Sequence, residues 1–591
     1  MARTRRNKSK VSRNGQYNVM TSARAKQATR AETLHTVPKE FFALQIERRE
    51  DTAAAIEATA RSSEGRSLLW RQNCCAQLVQ GLTDSSEKVL RSFSSALREM
   101  VMDEASGDEC CNKLIKLNIL PVLDEALQKI RARLCDIPLD SSEVVTGAST
   151  SLDIAGNLIY IATRISEVSP FVERAGTSKN FIALCVKLLS VQRCCPISTI
   201  TLLYQCLDSH FEHTSGSVPT DDIRALLEQL CNVAQYHDKC LVGLAVCVLQ
   251  RVCFIAIKQS VIRAEQFESI IRLILDSIST TIIELNTLYT GRWTDIQPMH
   301  KDLFEVTVPV VLDTMARLAL PISTQDGFAH VPVADKTRIT TYVLQILIER
   351  LVVPVLPLAL PNSSSNAEAP DLSEPALMRM MSLEFLHNLA WTIAITDSTK
   401  LRDAWTVHAG NLWTWTLTHL SSFLISSEEE ADSSISLLYA LAKFSGASLP
   451  ISTSEINSFI KLYHSSLNAD MQTKIVGLLG CLAVRASDIN NNKSVGMFLM
   501  TVISALPRSD SEVVVEALNA IFDIYADREY DYDKQVFVRG NFLTHLIKVV
   551  PKVDAMRKAI DKRRYRELKD QADEAFDNLV AFIDYKGKEQ A

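Results

Sequence analysis

Apolar residues recur along this chain with the spacing of amphipathic helices, broken by short polar stretches. In the segment from Glu512, Val514, Ala517, Leu518 and Ile521 fall at i, i+3, i+4 and i+7, a stripe that must pack on a preceding helix. Three such segments can be laid over one another: Leu438-Tyr439-Ala440-Leu441, Leu479-Gly480-Cys481-Leu482 and Leu518-Asn519-Ala520-Ile521. Their first residues are 41 and 39 positions apart. A period of about 40, with two or three helices per unit, is that of armadillo and HEAT arrays, and the recurring small residue marks the close approach of neighbouring helices. Similar cores surround Leu97, Leu158 and Leu386. The pattern predicts an all-α armadillo/HEAT-repeat fold, a right-handed superhelical solenoid with a concave face.

Two segments interrupt the helical pattern. The run PNSSSNAEAPDLSEP predicts an inserted loop over 361–375, and SSEEEADSS, with Glu428, Glu429, Glu430 and Asp432, reads as a solvated loop between repeats. The expected division is a basic tail over 1–35, armadillo-like repeats over 36–360, the loop, and HEAT-like repeats over 376–591. Two strongly apolar windows begin at Leu241 and Val343. Gln250-Arg251 breaks the first, and Glu349-Arg350 with two prolines breaks the second, so both read as core helices, with no membrane partner expected.

Charge adds a strong asymmetry. Residues 1–31 hold nine Lys and Arg and no acid, so in a chain of net charge −6 the remainder carries −15. A basic segment without apolar periodicity is expected to be disordered, and it suits a nuclear import signal, a nucleic-acid arm or a solubilising tail. The fourteen Cys include the pairs Cys74-Cys75, Cys110-Cys111 and Cys194-Cys195 and no CxxC, which points to buried thiols in a reducing compartment.

The sequence holds no phosphate-binding glycine loop, HExxH or GxSxG, so no enzyme activity and no cofactor are expected. His210 and His213 lack further ligands at metal spacing and read as a solvated helix end. Trp391, Trp405, Trp413 and Trp415 are either core rings or, for Trp391 with Asn388 three residues before it, part of a peptide-binding helix face.

Three blocks carry a family resemblance: VLRSFSSALREMVMDEASGDECCNKLIKLNILPVLDEALQKI, DIAGNLIYIATRISEVSPFVERAG, and the C-terminal EALNAIFDIYAD with its closing NL..FI.Y pattern. They resemble the symportins, synchronised-import adaptors related to HEAT-repeat-containing protein 3. That resemblance implies a non-enzymatic adaptor that shuttles between cytoplasm and nucleus. It would hold large-subunit ribosomal proteins five and eleven for assembly with 5S ribosomal RNA, its N-terminal signal being read by a transportin-type karyopherin, with no direct nucleic-acid binding expected. An acidic body suits strongly basic cargo.

On this reading Arg3, Arg5, Arg6, Lys8, Lys10 and Arg13 meet the import receptor. The cargo groove falls on Glu99, Asp103, Asp153, Asn157, Asn388 and Trp391, and the second cargo on Glu368, Asp371 and Glu374. Glu99 stands where the family pattern has Asn, and Tyr17 follows Gln16 rather than Pro. A general receptor of the importin-alpha type and a scaffold without a transport role are the alternatives.

Overall fold

The computed structural model describes residues 41–103, 106–134, 149–168, 177–191, 197–213, 218–233, 239–291, 298–320, 331–359, 375–444, 449, 451–466, 468–485, 489–506, 510–525 and 542–590. Among them are 23 α-helices and no strand. The helices fall into two compact units.

The first unit holds α1 (Ile46–Ala60), α2 (Ser63–Arg71), α3 (Cys75–Gly81), α4 (Glu87–Val101), α5 (Gly107–Lys116) and α6 (Ile119–Leu134). It continues with α7 (Ser149–Val168), α8 (Thr177–Ser190), α9 (Ile197–His213), α10 (Thr220–Val233), α11 (Lys239–Lys258), α12 (Ala264–Gly291) and most of α13 (Pro298–Leu318). Helices α1, α4, α7, α9 and α11 stack side by side as one layer, and α6, α8 and α10 form a second layer against it. Helix α4 shows why. Ser86 caps its N-terminus, and Val89, Leu90, Phe93, Ala96, Leu97 and Met100 form a stripe that is 0–2% exposed.

The apolar window from Leu241 is α11, a core helix. Gly243 lets it approach α13 closely, because a Cβ there would lie 2.7 Å from Thr307 Cγ2. The cation in its middle, Arg251, bonds to Asp208 on α9 and lies 3.8 Å from Asp313 on α13.

The second unit holds most of α14 (Val333–Val355), then α15 (Pro375–Ile395), α16 (Thr399–Ser426), α17 (Glu428–Lys443), α18 (Thr453–Ser465) and α19 (Ala469–Arg485). It ends with α20 (Ile489–Ser504), α21 (Ser511–Tyr525), α22 (Phe542–Ala559) and α23 (Arg566–Gln590). The window from Val343 lies on α14, where Leu344, Leu347, Leu351 and Val352 are buried while Glu349 and Arg350 face solvent. Helices α15, α17, α19 and α21 form one layer, with α18, α20 and α22 as the other. The three superimposed sequence segments are α17, α19 and α21, adjacent in that order. Gly480 sits against Ala520, where a Cβ would come within 2.6 Å of the alanine's own.

Two expectations need correction. SSEEEADSS is the start of α17 rather than a solvated loop: the Ser427 hydroxyl accepts from the Glu430 backbone N–H at 3.1 Å, and Glu428, Glu429 and Glu430 occupy the first turn, where the helix dipole favours acids. Glu430 is 1% exposed because Arg379 on α15 meets it with three hydrogen bonds of 2.8–3.1 Å. His210 is not at a solvated helix end either. It is buried between Phe181 and Phe211, with ring centroids at 4.9 and 5.3 Å, while the side chain of His213 lies outside the described residues. Of the Trp cluster, Trp405 and Trp413 are core rings, and Trp391 and Trp415 are half-buried.

Candidate functional site

In the first unit the sequence-nominated residues fall on the paired helices α4 and α7. Glu87, Arg91, Ser94 and Arg98 recur on one side of α4, and they meet Ser151, Asp153 and Asn157 of α7 in the same order. Ser151 donates to Glu87 at 2.6 Å, Arg91 Nε reaches Asp153 at 3.3 Å, and Asn157 donates to Ser94 at 3.2 Å. Arg98 closes the series by donating to Asn157 Oδ1 at 3.3 Å. Asn157 is 5% exposed with its amide satisfied on both sides, as a buried polar group requires. Asp153 and Arg91 remain partly open to water, their side chains 25% and 42% exposed.

Glu99 and Asp103 lie on the other side of α4, toward α1 and α2. Asp103, just beyond the helix, accepts from Arg66 at 2.8 Å and from the Ser106 hydroxyl at 2.8 Å. Burial alone would push its carboxyl up, but the Ser106 and Arg66 bonds hold it below its ordinary value. Glu99 differs. It makes no hydrogen bond among the described residues, and burial raises its carboxyl against the opposing pull of Arg98, Arg66 and Arg61. A half-buried carboxylate among cations, with its own lone pairs unused, is an acceptor ready for an incoming donor.

Asn388 and Trp391 lie on α15 in the second unit, so the structure does not gather them with the α4 and α7 residues into one unit. The Asn388 amide donates to Ala316 O at 3.1 Å, satisfying a carbonyl in the last turn of α13. Trp391 belongs to a ladder that sequence spacing did not indicate. Its ring lies 5.8 Å from Tyr439 on α17, and Lys443 Nζ sits 5.0 Å from the Trp391 centroid and 5.5 Å from that of Tyr439. The Tyr439 hydroxyl then donates to Glu516 on α21 at 2.7 Å. That bond crosses the intervening α19 at Gly477, where a Cβ would lie 2.5 Å from Glu516 Oε1 and 2.6 Å from Tyr439 Cζ. A glycine inside an apolar helical pattern was the sequence signal for such a crossing.

Beside this ladder, His387 is pushed down to about 4 by burial and by the Lys474 ammonium, with Asp470 opposing. Lys474 is itself held by Asp432 at 2.7 Å and Asp470 at 2.9 Å. The paired cysteines Cys74, Cys75, Cys110 and Cys111 are buried free thiols. Among the described residues no three ligand-type side chains gather around a common point. Arg3, Arg5, Arg6, Lys8, Lys10 and Arg13, the loop residues Glu368, Asp371 and Glu374, and Cys194-Cys195 lie outside the described residues.

Residues 336–590 match the family described as SYO1-like, TPR repeats. Curated relatives include Symportin 1 of Chaetomium thermophilum, 32% identical over 37% of this chain and 35% of the relative. The armadillo repeat protein involved in nucleocytoplasmic transport Syo2, of Schizosaccharomyces pombe, is 32% identical over 36% of this chain and 32% of its own length. Synchronized import protein 1 of Saccharomyces cerevisiae is 33% identical over 22% and 21%. Each match thus spans well under half of the relative, and together they bear out the resemblance read from the sequence.

Proposed function

We propose that this chain, a relative of the symportins, is a nuclear transport adaptor that shuttles between cytoplasm and nucleus as a chaperone for basic ribosomal proteins. Its cargo would be large-subunit ribosomal protein five on the α4 and α7 faces, through Glu99, Asp103 and Asp153, with Asn157 holding the two helices together. The loop acids Glu368, Asp371 and Glu374 would take ribosomal protein eleven, and Arg3, Arg5, Arg6, Lys8, Lys10 and Arg13 would engage a transportin-type karyopherin. Asn388 and Trp391 offer a second face for an extended segment of cargo.

Glu99 is the observation that carries this reading. It is a half-buried carboxylate without a hydrogen-bond partner among the described residues, on the side of α4 that leads to Asp103. A cargo ammonium or guanidinium at Glu99 would gain a charge-assisted bond at little cost in broken ones. The Arg91 to Asp153 pair is exposed enough that a cargo cation can replace Arg91 cheaply, since such pairs contribute at most about 1 kcal/mol. Asn157, already bonded on both sides, would position α4 against α7 rather than touch cargo. The acidic balance of the chain outside its tail steers basic partners and covers surfaces they reserve for RNA.

The reading is tested in cells by replacing Arg3, Arg5, Arg6, Lys8, Lys10 and Arg13 with Gln and following both this chain and ribosomal protein five. Loss of nuclear entry of both supports an adaptor. Unchanged distribution of both contradicts it and points to a scaffold.

A further inference from the structure

A strongly basic stretch lies in the second unit, away from every residue assigned above. From Lys548 to Lys569 the chain has nine Lys and Arg against three acids, in a protein of net charge −6. At its centre, between α22 and α23, stands the turn Lys562-Arg563-Arg564-Tyr565-Arg566. Asp561 builds the turn: its Oδ1 accepts from Arg563 N at 2.9 Å, and its carbonyl accepts from Arg564 N at 3.1 Å and Tyr565 N at 2.8 Å. The acid that precedes the cluster is thereby engaged with the turn's own backbone, while residues 561–566 are exposed.

Those cations are weakly held. The side chains of Lys562 and Arg566 are 66% and 83% exposed, and they share Asp570 at 3.6 and 3.9 Å. Arg563 and Arg564 form no ion pair among the described residues. The Arg564 guanidinium lies 5.2 Å from the centroid of the Tyr565 ring, which is 38% exposed. The turn also leads into the N-terminus of α23, whose first residue is Arg566, so the positive end of a 25-residue helix adds to the cations.

We propose that this turn is a binding site for single-stranded RNA, where the sequence alone predicts no direct nucleic-acid contact. Arg forks and the helix N-terminus suit phosphate oxygens. The part-exposed Tyr565 ring, with Arg564 beside it, offers a flat face for an unpaired base. An acidic protein surface would use the charges but has no need of the ring, so the Arg and Tyr interleaving favours RNA. The site stands independently of the import reading, since it uses neither the tail nor the α4 and α7 faces.

The test titrates the full chain with a short unstructured fluorescent RNA carrying 4-thiouridine, at several salt concentrations, and maps ultraviolet crosslinks by mass spectrometry. Crosslinks are expected at Tyr565 and its neighbours. The combined variant Arg563→Gln, Arg564→Gln, Arg566→Gln should lower the slope of log affinity against log salt by about 2, at roughly 0.7 per phosphate contact on a single strand. Tyr565→Ala should weaken binding about tenfold while leaving that slope unchanged. Crosslinks confined to residues 1–31, or equal affinity of the variants and the parent chain, would overturn the proposal. Displacement of the RNA by polyglutamate of matched charge, with no effect of Tyr565→Ala, would overturn it in favour of an acidic protein partner.

Discussion

The same side-by-side helix stacking is bridged differently between α4 and α7 and along α15, α17, α19 and α21. Between α4 and α7 the bridges include half-exposed pairs such as Arg91 with Asp153, and the opposite side of α4 carries an acid, Glu99, with no hydrogen bond among the described residues. Along α15, α17, α19 and α21 one bridge is deeply shielded, Arg379 with buried Glu430, and another, half-buried Tyr439 with Glu516, passes over Gly477. Shielded bridges fix the spacing of helices and are costly to break, whereas exposed ones can trade partners. The first arrangement suits a face that meets a changing set of cations, and the second suits a rigid frame.

The contrast should be most visible at Arg379. Replacing it with Met leaves Glu430, at 1% side-chain exposure, without its cation, and should cost about 4 kcal/mol in denaturant unfolding of the full chain. Replacing Glu430 with Met as well should recover much of that loss, because no buried charge is then orphaned. A smaller loss, about 2 kcal/mol, is expected for Gly480→Val, whose side chain would collide with Ala520 on α21. Near-parent stability of both Arg379→Met and Gly480→Val would erase the distinction between frame and face.

Acid should also act on the second unit. His387 stays neutral in the fold down to about 4, against an ordinary 6.5, so between those values the unfolded chain binds a proton that the folded chain does not. The histidine therefore makes stability fall as pH drops through that window, by about 1.4 kcal/mol per pH unit, with no contribution to the slope above it. Denaturant unfolding from pH 7 to pH 4 should show that slope in the parent chain and a shallower one in His387→Asn. The smallest effect belongs to the first unit: Asp153→Asn should change stability by less than about 1 kcal/mol while measurably weakening the binding of a basic peptide.

The repeat was legible in the sequence because it is local. The stripe on α21 and its counterparts on α17 and α19 need only helical periodicity, and Gly480 against Ala520 is the small-residue contact that the alignment of segments predicts. Glu99, Asp103, Asp153 and Asn157, nominated from the sequence, fall on or just beyond two helices that do stack. Their partners were not, since Arg91 and Arg98 lie 62 and 59 residues from Asp153 and Asn157, and only the tertiary register brings them together. The misreading of SSEEEADSS had two sources. Its Ser427 cap followed by acids is a helix-start signal in its own right. The burial of Glu430 depends on Arg379, 51 residues earlier, which no local pattern discloses.

The most direct test of a dedicated cargo face is a calorimetric titration of the full chain with the N-terminal peptide of large-subunit ribosomal protein five, beside a simple basic nuclear-signal peptide of equal charge. Glu99→Gln and Asp153→Asn chains are run in parallel. Tight, salt-sensitive binding of the ribosomal peptide alone, weakened by both substitutions, is the expected result. Equal binding of the two peptides, or binding of neither, would contradict it.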